Sequence, residues 1–315
     1  MESDLKLSAQ GLIRDYAGRR AVNDIDIRLA AGEVLGLLGP NGAGKTTTLR
    51  MLAGTLAPSA GRILLAGHDM ARAPQQAKRH LGYLPERPPV YDELTVDEYL
   101  AFCARLHGIE RAKRADAITR AKTDCGLEAV GRRLIGHLSK GYQQRVGIAQ
   151  AIVHRPDVLI LDEPTAGLDP NQLRGIRELV GRLAEAHSVI VSSHILSEIQ
   201  AVAHRVMILH RGRVVLDEAL ADAEARDDRV IDIGLRAGPD RSTLAALPGV
   251  ETVEPLGDGR WRITAAPGRD IRGSLAETAV HNGWHLVELT THAPDLEARF
   301  AELTRSAEHT TAVAS

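Results

Sequence analysis

The sequence predicts an α/β fold built on a parallel sheet and followed by a smaller α+β domain. Three observations carry that prediction. A glycine-rich run, "GPNGAGKT" at residues 39–46, lies between a continuously apolar stretch and a helix-forming one. A second apolar stretch, "VLIL", ends in the acid pair Asp162–Glu163. Strands buried on both faces of a parallel sheet show no polar alternation, so both apolar runs read as central strands. After about residue 220 the signals change to the order β-α-β-β-α-β, which suggests a ferredoxin-like unit.

In chain order, Ile25, Ile27 and Leu29 alternate with polar residues, a half-exposed strand that turns at Ala31-Gly32 into the buried run from Val34. "KTTTLRMLAGTL" reads as a helix and "RILLAG" as a short strand. Thr95 with Glu98 forms a capping box ahead of helical apolar spacing. Helices are expected over 111–125 and 141–154, then the strand "DVLILD". Asp169 and Pro170 open another helix by cap and first-turn preference. "SVIVSSH" and "RVMILHRGRVVLDE" are strands, the latter turning at Arg211-Gly212. Beyond the charged connector "ADAEARDDR" come a strand (230–235), a helix (242–247), a hairpin at "GDGR", a helix (271–281), a strand (284–290) and a last helix from Asp295. The expected domains are 1–222 and 223–305, with 306–315 a frayed tail.

Composition narrows the function. Hydrophobic residues make up 44% and charged residues 25%, an ordinary globular balance. A net charge of −2 and 3% aromatics give neither the basic patch nor the stacking platforms of a nucleic-acid binder. Cys103 and Cys125 have no metal-ligand spacing and read as reduced thiols. The start "MESDLKLSAQ" has no basic and apolar leader pattern, and no apolar run reaches the ~18 residues a membrane span needs, so neither is expected. His281, His285 and His292 show no metal-binding spacing.

The glycine-rich run matches G-x-x-x-x-G-K-[ST] in the strand-to-helix context the motif requires. Gly39, Asn41, Gly42, Ala43 and Gly44 can fold their N–H groups into a nest around phosphate oxygens, with Pro40, which has no N–H, shaping the loop, and the following helix turns its positive end to the same anion. Lys45 is expected to reach the β- and γ-phosphates, and Thr46, with Thr47 beside it, to offer a hydroxyl to Mg²⁺. Two acids after a buried strand are costly without a cation or a reacting water to use them. Asp162 is therefore assigned to Mg²⁺ and Glu163 to activating the attacking water.

The run "LSKGYQQ" ahead of the acid pair, with "AGLD" and "SSH" after it, resembles the nucleotide-binding subunit of ABC transporters over roughly residues 5–220. That resemblance implies an ATPase core with an antiparallel β subdomain and a helical subdomain. It implies that Tyr16 stacks on adenine and that Ser139 and Gly141 hold the γ-phosphate. It further implies that Asp169 belongs to the loop that communicates across a dimer, and that His194 contacts the γ-phosphate and positions the water. The family's loop glutamine is Glu86 here, a carboxylate that can still reach Mg²⁺ or its water, and Lys140 and Tyr142 replace commoner signature residues. "LGYLPERPPVYDELTVDEYL" looks most like the exporter-type (ABC-2) ATPases, close to gliding-motility-associated and multidrug groups.

The expected activity is ATP hydrolysis, with ATP and Mg²⁺ as cofactors. The expected partners are a second copy of the chain, head to tail, and a membrane permease met near "RPPVYDELTV", which would hold the protein at the cytoplasmic face of the membrane. The competing class is a soluble ATPase acting on nucleic acid or ribosomes. Against it stand a single ATPase core, no sustained heptads between Lys45 and Ser139, and near-neutral charge. A P-loop kinase or regulatory ATPase would have no use for the signature run.

Overall fold

A computed structural model of the chain describes residues 5–221 and 230–291. The charged connector after residue 221, the helix expected from Asp295, the tail and His292 fall outside the described residues. The chain divides between Asp217 and Glu218 into two compact units.

The first unit holds two sheets. β1 (Leu5–Tyr16), β2 (Arg19–Ala30), β4 (Ala60–Leu65) and β5 (His68–Asp69) form an antiparallel sheet in the order β2-β1-β4-β5. The period-2 pattern of β2 is realised: Val22, Ile25, Ile27 and Leu29 are fully buried while Asp24, Asp26 and Arg28 face solvent. The second sheet runs β10 (Arg213–Ala219), β9 (Arg205–His210), β3 (Val34–Leu38), β8 (Ser188–Ser193), β7 (Val158–Leu161) and β6 (Leu81–Leu84). β6, β7, β8, β3 and β9 are mutually parallel. β3 and β7 are buried at every position, as their unbroken apolar sequences require. One apolar core, including Leu7, Ile27, Leu37, Met51, Leu65 and Met207, joins the two sheets through α1 (Lys45–Leu52).

Helix α2 (Pro74–Arg79) packs on β4, β5 and β6. Helices α3 (Val96–Leu106), α4 (Arg111–Cys125) and α5 (Lys140–Ile152) pack together as a helical layer, and α6 (Pro170–Ala184) packs on α4, α5 and β8. Thr95 accepts from the Glu98 N–H at 3.3 Å and Glu98 accepts from the Thr95 N–H at 2.8 Å, so both halves of the capping box form. Such a cap contributes about 1 kcal/mol to the helix. The tight turn at Arg211-Gly212 has both residues at positive φ (48° and 77°), the twist that matches flanking antiparallel strands. Among the described residues no helix is long and apolar enough to cross a membrane.

In the second unit β11 (Val230–Leu235), β12 (Val250–Gly257), β13 (Arg260–Ala265) and β14 (Leu286–Thr291) pair antiparallel in the order β12-β13-β11-β14. With helices Arg241–Ala245 and Arg272–His281 this is the ferredoxin-like arrangement. Ile231, Ile233, Leu235, Leu244, Ile263 and Leu275 form its core. The last strand starts at Leu286 rather than at Trp284 because His285 takes φ 50°, a left-handed conformation that interrupts extended backbone.

Candidate functional site

β3 lies between β8 and β9, so the chain leaves its carboxyl end where the strand order switches direction, the place where open α/β sheets bind ligands. The glycine-rich loop follows there. Gly44, the N-cap of α1, has φ 106° and stands so close to the Ala21 carbonyl that a Cβ would lie 2.8 Å from it, so only glycine fits. No side chain caps this helix and no acid lies in its first turn, which leaves its N–H groups free for an anion. Lys45 Nζ, 6% exposed, donates to the Gly39 carbonyl at 2.7 Å and lies 3.4 Å from Glu163 Oε1.

The acid pair emerges from β7. The Asp162 N–H donates to the Leu84 carbonyl, extending the β6–β7 ladder by one residue. Asp162 is fully buried. Its Oδ1 accepts from Ser192 Oγ at 2.7 Å and from Thr46 Oγ1 at 3.4 Å, while its Oδ2 is buried without a partner. Burial pushes this carboxyl above the usual carboxylate range; Glu163 and Glu86 add to the rise, and the bonds from Ser192 and Thr46 oppose it. A buried carboxylate with an orphan oxygen beside a hydroxyl fits a cation. Among the described residues no three His, Cys, Asp or Glu side chains form a metal cage. A Mg²⁺ ion here would therefore complete its shell with phosphate oxygens and water, as this ion commonly does.

Glu163 has φ 47°, a conformation costing a non-glycine residue about 1–2 kcal/mol. The turn is held by its N–H donating to Ser192 Oγ at 2.9 Å. Its Oε2 lies 2.8 Å from His194 Nδ1. Glu163 thus stands between an ammonium and an imidazole, and its strained backbone is fixed by the serine that also holds Asp162. Ser192 escaped assignment in the sequence. Its signal was the pair of hydroxyls ending the otherwise apolar "VIV" of β8. Glu198, also unassigned, is 7% exposed and accepts from Thr165 at 2.6 Å and Ser193 at 2.8 Å, tying the loop after the acids to the end of β8.

A cleft of about 510 Å³ gathers Tyr16, Arg19, Pro40, Asn41, Gly42, Gly44, Lys45, Thr46, Thr47, Glu86, Glu163 and His194. Ser139, Gly141 and Asp169 lie off it. Ser139 is the exposed N-cap of α5, yet its hydroxyl makes no cap bond, so the hydroxyl and the helix start remain free for an external acceptor. The Gln172 side chain of α6 packs against Gly141, within 2.8 Å of where a Cβ would stand. Asp169 Oδ1 accepts from the N–H groups of Asn171 and Gln172, capping α6. The Lys140 ammonium lies against Gly167 of "AGLD", which gives that departure residue a contact within its own chain.

The ABC transporter family profile matches residues 22–166. The bacitracin transport ATP-binding protein BcrA of Bacillus licheniformis is 33% identical over 298 residues, covering 93% of this chain and 95% of that one. The ABC transporter ATP-binding protein NatA of Bacillus subtilis is 38% identical over 214 residues, 66% of this chain and 87% of that one. Among solved structures, cbiO1 of Clostridium perfringens, part of the ABC transporter complex cbiONQ, superposes with a TM-score of 0.64 at 28% identity, covering 70% of this chain and 90% of that one.

Proposed function

The chain belongs to the ABC transporter family as an ATP-binding subunit that hydrolyses ATP to power transport, and from that premise we propose how its residues divide the work and what they work with. The observation that carries the proposal is Glu163 held between Lys45 Nζ and His194 Nδ1 in the cleft that the phosphate loop lines.

In this reading Tyr16 stacks on adenine, the N–H groups of the loop from Gly39 to Gly44 enclose the phosphates, and Lys45 binds the β- and γ-phosphate oxygens. The phosphates compete with Glu163 for Lys45, so nucleotide binding frees the Glu163 carboxylate to accept a proton from the attacking water. His194 orients that carboxylate through the 2.8 Å contact and faces the same cleft. Thr46 and Asp162, with Glu86 of the cleft lining, would hold Mg²⁺, which when bound offsets the charge on the phosphate oxygens.

Ser139 and Gly141 lie off the cleft with an uncapped helix start, and this supports a second copy completing each site head to tail. Tyr91, 48% exposed, is braced edge-on by Tyr99 and Phe102, while Tyr99 OH donates to the Pro89 carbonyl at 2.6 Å. A rigid exposed aromatic beside two prolines suits a permease helix, which would place the protein at the cytoplasmic face of a membrane. The relative BcrA is named for bacitracin transport, and the exporter-like run "LGYLPERPPVYDELTVDEYL" supports export as the direction here.

Mixing two inactive variants tests the shared site. Lys45→Ala spoils the phosphate loop and Ser139→Arg spoils the signature, but a mixed head-to-tail dimer contains one site with neither lesion. ATPase activity is expected to appear on mixing. A mixture as inactive as its components contradicts the head-to-tail assembly.

A further inference from the structure

Tyr16 presents an aromatic ring to the cleft and is 40% exposed, yet its other surroundings are charged. The Arg14 guanidinium carbon lies 4.7 Å from the ring centroid, over its face. Tyr16 lines the cleft and Arg14 does not. The guanidinium over one face of the ring leaves the opposite face free of that cation.

The guanidinium is itself anchored. Arg14 Nη1 donates to the Ala57 carbonyl at 2.9 Å. The neighbouring backbone is tied to the same loop: the Ser59 N–H donates to the Ile13 carbonyl at 2.7 Å, and the Asp15 N–H donates to Ser59 Oγ at 3.1 Å. That loop follows α1, the helix whose first residue is Lys45. Successive register shifts around Arg14 in the β1–β2 pairing mark an irregular strand end, the kind of place where bulges re-aim side chains. Arg20 pairs with Asp15 at 2.8 Å and leaves Arg14 free of that carboxylate.

We propose that Arg14 is a positioning residue for the base: its guanidinium backs the Tyr16 ring, and the ring stacks between the cation and the adenine. The proposal rests on the reading of Tyr16 as the adenine-stacking residue. A cation on one face draws the ring's electron density toward itself, and the opposite face becomes a better partner for an electron-rich purine. The contact also fixes the ring before the base arrives, which lowers the ordering cost of binding. Because the anchor is the loop after α1, base recognition and phosphate loop are joined through one helix.

The test is the steady-state KM and kcat for ATP in Arg14→Ala, Tyr16→Ala and the double variant, with Arg14→Lys and Arg14→Met as companions. Arg14→Ala is expected to raise KM about five-fold while kcat at saturating ATP changes less than about two-fold, a range set by exposed cation–π contacts. In the Tyr16→Ala background the same substitution should add nothing. Arg14→Lys, which keeps a cation, should recover most of the loss, and Arg14→Met, which keeps bulk without charge, should not. If Tyr16→Ala raises KM and Arg14→Ala does not, Arg14 has no part in base binding and the Tyr16 reading stands. A KM unchanged in Tyr16→Ala overturns that reading and the proposal with it. An equal rise from Arg14→Ala with or without Tyr16, or equal recovery by Met and Lys, also overturns the proposal, because the effect then runs through packing.

Discussion

Lys45 Nζ stands 3.4 Å from Glu163 Oε1, and both side chains are nearly buried at the floor of the nucleotide cleft. The ammonium has two further contacts, the Gly39 and Pro40 carbonyls at 2.7 and 3.4 Å. A cation so placed is pre-aimed at an incoming phosphate, and its pairing with the acid proposed to activate the water would link binding to chemistry. Lys45→Ala should weaken ATP binding at least about ten-fold, the usual scale for losing a charge-assisted hydrogen bond. Titration calorimetry with ATP and Mg²⁺ checks it; unchanged affinity would remove Lys45 from the site.

Ser192 donates to Asp162 and accepts from the Glu163 backbone, so one hydroxyl serves both acids. Ser192→Ala leaves two buried groups short of a partner at a cost of about 1–3 kcal/mol. The expected result is a raised Mg²⁺ concentration for half-maximal ATPase, with kcat lowered as Glu163 loses the bond that fixes its backbone. Magnesium titrations that coincide with those of the unsubstituted chain would show that Ser192 has no hold on Asp162.

Both cysteines are buried. Burial pushes the Cys103 thiol up to about 11, against bonds from Tyr99 and its own backbone, and pushes Cys125 higher still. Neither forms a thiolate near neutral pH, so a disulfide-exchange reagent at pH 8 should label the native protein slowly and the denatured protein at once. Rapid labelling of the native chain would contradict the burial of both sites.

His154 stacks on His107 with ring centroids 3.7 Å apart, and its Nδ1 is buried without a partner. Burial lowers it from 6.5 to about 4, and the nearby His107, His187 and His80 act in the same direction against the bond to the Leu81 carbonyl. Between those values the unfolded chain binds the extra proton. The contribution to stability is therefore complete above pH 6.5 and is lost as pH falls toward 4. It amounts to at most about 3 kcal/mol. Denaturant melts at pH 7.5 and 5 should show a smaller acid loss for His154→Gln than for the unsubstituted chain. Equal losses would assign the acid sensitivity to other groups.

The residues visible in the sequence were those whose chemistry contradicts their surroundings. Glycines before a lysine, and two acids after "VLIL", make no sense in a core without a ligand, so the phosphate loop and acid pair were legible. The alternation of Ile25, Ile27 and Leu29 and the Thr95–Glu98 cap were legible because they are local rules, and the structure realises both. Ser192 and Glu198 were not, because their partners lie about 30 residues away in sequence for Ser192 and, for Glu198, include Thr165 on a different loop. The left-handed φ of Glu163 was equally hidden: it comes from the tertiary hold of Ser192 on its N–H, not from any local preference of glutamate.

The central claim is that Glu163, held between Lys45 and His194, activates the attacking water. The most direct measurement is the ATP hydrolysis rate of Glu163→Gln together with its ATP affinity. The substitution keeps the size of the side chain and removes the proton acceptor. Turnover should fall at least about 100-fold, the contribution of a general base, with ATP still bound. Hydrolysis near the rate of the unsubstituted chain, with ATP bound equally well, would contradict the account.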